Sequence, residues 1–254
     1  MTRPPPRVDL DAPLLRQVAD LGDQYDAWVH RPVRRPGTLR IFQSPWLEAL
    51  SHVPWWIVPV VWVPVIAILW ALAARWQGLP MSHVAGLALA GLLSWTWVEY
   101  ALHRWVFHFK PRTALGRRIH FLAHGIHHLD PWDASRLVMP PLAAGVIAVP
   151  VFLCMYGCCA LLAPAAALGW ALASFGGLLV GYIVDDMTHY FTHHVRPKSA
   201  WGKRRKAAHL AHHHKWPNRL YGVSQPFWDV AVRTGRPSGA PGARTADAPR
   251  QATG

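Results

Sequence analysis

The chain is short of charge, of acidic side chains and of cysteine, and each shortage removes a class of protein. Only 15% of its 254 residues are charged, against about a quarter in soluble domains, so an ordinary water-soluble fold is excluded. Its three cysteines, Cys154, Cys158 and Cys159, crowd into one apolar run. They offer neither a disulfide framework nor paired CxxC zinc spacing and read as packing residues. Thirteen Asp and Glu stand against 26 Lys and Arg, a formal charge of +13. No compact basic domain with interleaved aromatics carries this excess, which argues against nucleic acid and for a face turned to anionic lipid. The opening residues, MTRPPPRVDLDAP, lack the apolar core and cleavage site of a signal peptide. No ten-residue alternation marks a membrane barrel.

What is abundant is apolar. Hydrophobic residues make up 52% of the chain and Trp occurs 15 times, and Trp favours membrane–water interfaces. Four stretches are long and apolar enough to cross a bilayer, at about 53–74, 84–102, 137–162 and 165–184. The fold class expected is therefore an all-α integral membrane protein with four transmembrane helices. Pro54, Pro59 and Pro64 should kink the first span, and Gly86, Gly91 and Ser94 should let the second approach a neighbour closely. Residues 1–52 form an N-terminal segment with a basic, Pro-rich start (1–9) expected to be disordered. A helix across Leu10 to Val29 follows, carried by Leu14, Leu15, Val18 and Leu21, then a solvated basic linker at 30–40 and an interfacial stretch from Phe42 to Leu50. Residues 53–235 form one domain and 236–254 a disordered tail.

Seven Arg and Lys precede the first span, six lie between the second and third, twelve follow the fourth, and Arg75 alone sits in a far-side turn. The positive-inside rule then puts both termini and the connecting segments 103–136 and 185–235 in the cytoplasm. Those two segments hold the histidines. His103 and His108 form HxxxxH; His124, His127 and His128 form HxxHH; His189 and His193 form HxxxH; His209, His212 and His213 form a second HxxHH. Positions i, i+3 and i+4 share a helix face, so each triplet and the HxxxH pair can aim inward. An i, i+5 pair cannot, and His103 with His108 requires a helix end or a distortion. Ten imidazoles exceed one zinc site and suit two metals with about five nitrogens each, or fewer with positions left open. Ligand type admits iron, zinc, copper or nickel. Asp186 first, then Asp133, are the carboxylates expected to orient ligand imidazoles from behind, with Asp185 nearby. His30, His52 and His83 read as interfacial or capping residues, and His120, His194 and His214 stay outside the ligand set. Two function classes survive: an oxygen-activating lipid enzyme, and a membrane metal transporter or metal-binding protein. Spans almost bare of ionisable groups favour the enzyme.

The stretches YDAWVHRP (25–32), HVPWWIVPVVWVP (52–64), EYALHRWVFHF (99–109), HFLAHGIHHLDPWDASRLVMPP (120–141), DDMTHYFTHH (185–194) and HLAHHHKWPNRLYGVSQPFWD (209–229) carry a resemblance. The sequence resembles the membrane fatty acid hydroxylase family of the sterol desaturase/fatty acid hydroxylase superfamily, most closely its fatty acid (ceramide) 2-hydroxylase branch. The resemblance implies a dinuclear metal centre in a histidine-rich helical cap, with the ten histidines named above as ligands. It implies iron for activity, with zinc as a possible occupant, and O2 with two electrons placing a hydroxyl beside an acyl carbonyl. The substrate would be a ceramide-type or other acyl lipid held within the membrane. Sterol desaturase-like or carotenoid hydroxylase-like lipid oxidation is the alternative; SRLVMPP and YGVS favour the 2-hydroxylase. Longer members carry a haem-binding domain with an HPGG motif that this chain lacks, so a separate electron-transfer protein is the expected donor, and the short form suggests a bacterial inner membrane. Tyr190, Trp132, Asp133, Arg136 and Trp228 are candidates for shaping the substrate entrance, with interfacial packing as their plainer role.

Overall fold

The computed structural model describes residues 8–239, and every regular element among them is a helix. The expected disorder at 1–9 and 236–254 lies, but for residues 8–9 and 236–239, outside that range. The N-terminal segment opens with α1 (Leu14–Asp20), a 3-10 turn (Gly22–Gln24) and α2 (Tyr25–Val29). The single helix expected from Leu10 to Val29 is thus broken, because Gly22 adopts φ +54°, a left-handed conformation that ends a helix. Leu14, Val18, Leu21, Tyr25 and Val29 are buried against Phe121, Ile126 and Leu129 of the histidine-bearing cap. The linker at 30–40 is not simply solvated. Leu39 is buried in the same cluster, and the amide of Val33 donates to the carbonyl of Leu129 at 2.8 Å. Charge and proline mark such a segment as surface and say nothing of the apolar side chain it plants below. Helix α3 (Pro45–Leu50) leaves Trp46, Leu47 and Leu50 exposed, as an interfacial segment would.

Four helices are long and apolar enough to cross a membrane. The first is α4 (Ile57–Ala71), extended by a π-turn at Leu72–Trp76, and the second is α5 (Met81–Ala101), extended by a π-turn at Leu102–Phe107. After α6 (Ala114–His120), a π-turn at Phe121–Gly125 and the short α7 (Ile126–Leu129), the chain re-enters through α8 (Pro141–Leu162) and α9 (Ala167–His194). Helix α10 (Ala200–His214) and α11 (Phe227–Ala231) close the cap. Of the three prolines expected to kink the first span only Pro64 lies in the interior of α4. Pro54 precedes the helix, and Pro59 sits in its first turn, where the missing N–H is not needed.

Helix α9 is the axis of the bundle, packing on α4, α5 and α8. Its most apolar stretch is 67% buried inside the fold, against 6% for α8. Against α5 the two backbones touch: a Cβ on Gly91 would collide with the carbonyl of Ser174, and one on Gly177 with the carbonyl of Ala88. Gly86 faces open space and Ser94 bonds within its own helix to the Ala90 carbonyl at 2.8 Å, so Gly91 alone of the expected trio closes the gap. With its π-turn α5 continues to Phe107, and α9 runs to His194, past the expected ends at 102 and 184. Hydropathy reports where the membrane stops, and the helical hydrogen bonds continue beyond it into the cap.

Candidate metal centre

Each histidine is set by a local device. At the end of α5 the amide of His108 donates to the carbonyl of His103 at 3.1 Å, the i+5 bond of a π-turn. That wider turn is the distortion that the HxxxxH spacing requires, and such turns recur at functional sites. A second π-turn at Phe121–Gly125 presents His124 ahead of His127 and His128 on α7. His189 and His193 lie one turn apart near the end of α9. His209, His212 and His213 ride on α10, whose first turn is capped by Ser199 accepting from the Gly202 amide at 3.1 Å.

The ten histidines converge as two groups of five. His103, His108, His124, His128 and His212 form one; His127, His189, His193, His209 and His213 form the other. Within each, one ring nitrogen per residue lies within 4.8 Å of all the others. The closest Nε2–Nε2 separations run from 2.8 to 3.2 Å. The partition differs from the face-sharing triplets expected. In each HxxHH the first and last histidines, four apart, serve one group, while the middle one crosses to the other. His127 leaves the first stretch and His212 leaves the second, and the rings of His128 and His213 stack between the groups at 4.2 Å.

The donor set fits a metal ion in each group. Nδ1 of His103 faces the carbonyl oxygen of Tyr221 at 2.5 Å, and Nδ1 of His212 faces that of Arg219 at 2.7 Å. A carbonyl only accepts, so both Nδ1 atoms carry the proton and both Nε2 atoms turn a lone pair to the centre. Burial, then repulsion from neighbouring imidazoles, holds His108, His124, His127, His128, His209 and His213 well below the usual histidine range, and burial does so for His212. Neutral imidazole is the form that binds metal. Nitrogens about 2.0–2.1 Å from a shared ion lie about 2.9 Å apart when at right angles, which is the spacing seen.

The orienting carboxylates expected behind these rings are placed elsewhere. Asp186 accepts from the Tyr182 hydroxyl at 3.1 Å and the Met139 amide at 3.3 Å. Asp133 accepts from Ser135 and pairs with Arg136 at 3.3 Å. Main-chain carbonyls of the 219–221 loop take their place. That loop is held in turn by two acids. Asp229 accepts the amides of Tyr221 at 3.0 Å and Gly222 at 2.7 Å, and Glu99 those of Val223 at 2.6 Å and Ser224 at 2.9 Å. Neither acid was expected in this role, although an acid near the end of an apolar span, as Glu99 is, was a signal. Of the other histidines, His120 is buried with Nδ1 on the Tyr25 hydroxyl at 2.7 Å, outside both groups. His52 bonds Ser135 at 2.6 Å and Arg136 at 2.7 Å. His30 is more than a capping residue: its ring lies edge-on to His128 at 4.9 Å and stacks on His108 at 5.9 Å.

A cavity of about 230 Å³ leads from His103, His124, His127 and His189 down between α4, α5, α8 and α9. Its walls are mostly apolar, with Glu99, Asp185 and Asp186 near the histidines. Arg136 lines it, but the guanidinium is already engaged by Glu48, Asp133, Ser51, His52 and the Leu39 carbonyl. The other entrance candidates lie elsewhere. Tyr190 packs on Trp55 and Phe191, Trp132 near Arg34 and His214, and Trp228 edge-on to Trp97. These aromatic residues pack on neighbouring side chains instead.

A family model for fatty acid hydroxylase matches residues 88–234, which hold all ten histidines. The chain belongs to the fatty acid hydroxylase family. It is 37% identical over 227 residues to dihydroceramide fatty acyl 2-hydroxylase FAH2 of Arabidopsis thaliana, covering 89% of this chain and 92% of that one. With human fatty acid 2-hydroxylase it shares 39% identity over 247 residues, covering 89% of this chain and 64% of the human one. Among solved structures, "Full length scs7p (only hydroxylase domain visible)" superposes with a TM-score of 0.82 at 35% identity, covering 92% of this chain and 88% of that one. The hydroxylase is thus an enzyme with four candidate membrane helices beneath a histidine-rich cap.

Proposed function

We propose that the hydroxylase places a hydroxyl group on the carbon next to the carbonyl of a membrane-borne acyl chain, using O2 and two electrons. The observation that carries this reading is the contact between two five-histidine groups and the head of an apolar cavity that descends between the spans. The ten histidines, His103, His108, His124, His128 and His212 with His127, His189, His193, His209 and His213, would hold two metal ions, iron for activity. Bound there, the metals supply the oxygen activation that an unreactive C–H bond requires. The chain does the rest. Tyr221 and Arg219 carbonyls keep two imidazoles in the tautomer that faces the centre. Trp62, Trp95, Leu178 and Tyr182 wall the acyl chain from water. Relatives named as dihydroceramide and fatty acid 2-hydroxylases support an acyl lipid as substrate.

Residues 53–235 act as one unit in this reading, with the cap on the cytoplasmic side of a bacterial inner membrane and a separate electron-transfer protein as donor. The clustering of Lys and Arg in the cap-side segments supports that sidedness. The test is reconstitution of the purified chain in lipid with ferrous iron and a reductant, followed by mass spectrometry of the acyl lipids. A 2-hydroxy acyl product that needs O2 is expected. Bound metal with neither oxygen consumption nor product would overturn the reading in favour of metal binding or transport.

A further inference from the structure

The lining of the cavity beneath the histidines ends, away from them, at identifiable side chains. On α9 its lining passes from His189 through Tyr182 and Leu178 to Phe175; on antiparallel α8 it passes through Ala144 and Ala148 to Val151. Among the described residues no lining position lies deeper on either helix. The Phe175 ring is 7% exposed and meets the ring of Phe152 edge-on at 5.2 Å, so a second aromatic stands behind the first. Trp62 and Trp95, each edge-on to Tyr182 at 5.8 Å, close the flanks. From His189 to Phe175 is fourteen residues of one continuous helix, about 21 Å at 1.5 Å per residue.

We propose that Phe175 is the floor of the acyl pocket and sets the longest chain the enzyme takes efficiently. The inference rests on the acyl hydroxylase reading above. With the reacting carbon held at the histidines, each further methylene extends toward Phe175. Each one passes from lipid into an equally apolar pocket, so what it gains is close packing against the walls of the shaft. Once the chain end meets the Phe175–Phe152 pair, another methylene has no apolar space to fill and the gain stops. Ala144 and Ala148 keep the α8 wall thin above that point, so the floor and not the shaft limits length.

The experiment supplies the metal-loaded full chain, in lipid nanodiscs with reductant, with an equimolar series of saturated N-acyl amides differing in chain length. Product lengths are read by mass spectrometry. Thermal stabilisation of the protein by each amide is read separately, without turnover. Phe175→Ala should move the upper limit of product length to longer chains. Ala148→Phe should move it to shorter ones. Phe175→Leu, a milder change, should give a smaller shift to longer chains and keeps the test open if the alanine variant fails to fold. Hydroxylation with one length profile shared by wild type and variants overturns the floor while leaving the hydroxylase reading intact. Length-dependent stabilisation that shifts in the variants, without any hydroxylated product, upholds the floor and overturns the chemistry. Neither product nor stabilisation overturns both.

Discussion

The two histidine groups have the same count of imidazoles and unlike supports. In the first group all five residues are buried, and two of them, His103 and His212, are locked from behind by main-chain carbonyls of one loop. That loop is clamped by Glu99 from α5 and by Asp229. Leu220 within it adopts φ 60°, and a Cβ on Gly222 would strike the Gln225 carbonyl, so its path is tightly specified. In the second group His189 and His193 are only partly buried, and Nδ1 of His209 and of His213 meets no protein partner among the described residues, as Nδ1 of His128 in the first group also does not. One site has two rings fixed from behind by a clamped loop; the other is assembled from three helices, α7, α9 and α10, with little behind the rings. Orientation from behind tunes metal affinity by about 10–100-fold, so the two ions should differ in how tightly they are held.

Acidification should have the largest effect. Burial holds the native pKa values of His108, His124, His128, His209, His212 and His213 well below the ordinary 6.5. Above that pH native and unfolded chains are both neutral and nothing is lost. Below it the unfolded chain takes protons that the native one refuses, so stability falls, by up to about 1.4 kcal/mol per histidine per pH unit. Metal-free protein in detergent should therefore melt at progressively lower temperature from pH 7 to pH 5, and metal should offset the loss. A flat melting profile over that range would show that the rings are not held neutral. Next in size is His212→Ala. Although it lies on α10 with ligands of the second group, it should empty the first, lowering metal content from two ions to one per chain. Activity should fall by more than about 100-fold, beyond the 10–100-fold of an orienting partner. If the lost ion is the one bound by His189 and His193, the crossing is wrong.

Asp229→Asn should weaken the clamp without removing a ligand, lowering affinity in the first group by about 10–100-fold and leaving the second unchanged, as chelator competition would measure. Equal loss from both groups would erase the distinction drawn between them. The smallest difference is between the wild-type ions themselves. On stepwise addition of a chelator, the ion of the second group should leave first, with an affinity gap of about tenfold. Release of both together would mean that the carbonyl locks add no measurable affinity.

Much of this was legible in the chain. The spans follow from hydropathy alone, and the ten histidines from four spacings, because both signals are local. Even the π-turn was foreshadowed, since residues five apart share no face of an ordinary α-helix. What was not legible was the supporting architecture. Asp186 sits one turn from His189 and looks like its partner, yet α9 turns it to Tyr182 and Met139. The true supports, the carbonyls of Arg219 and Tyr221, have no side-chain signature at all. Likewise Gly177, which lets α9 lie against α5, is one of several glycines on that helix, and only the identity of the facing backbone singles it out.

By itself, then, the sequence determined an all-helical membrane chain with two imidazole-rich segments, because hydrophobicity and ring chemistry belong to residues singly. The tertiary structure alone decided which imidazole serves which centre. Neighbouring residues on a helix point about 100° apart, so His127 and His128, and again His212 and His213, diverge to opposite groups. Whether a given direction meets one centre or the other depends on where the facing helices stand, and that is settled by the packing of α5, α9 and the cap.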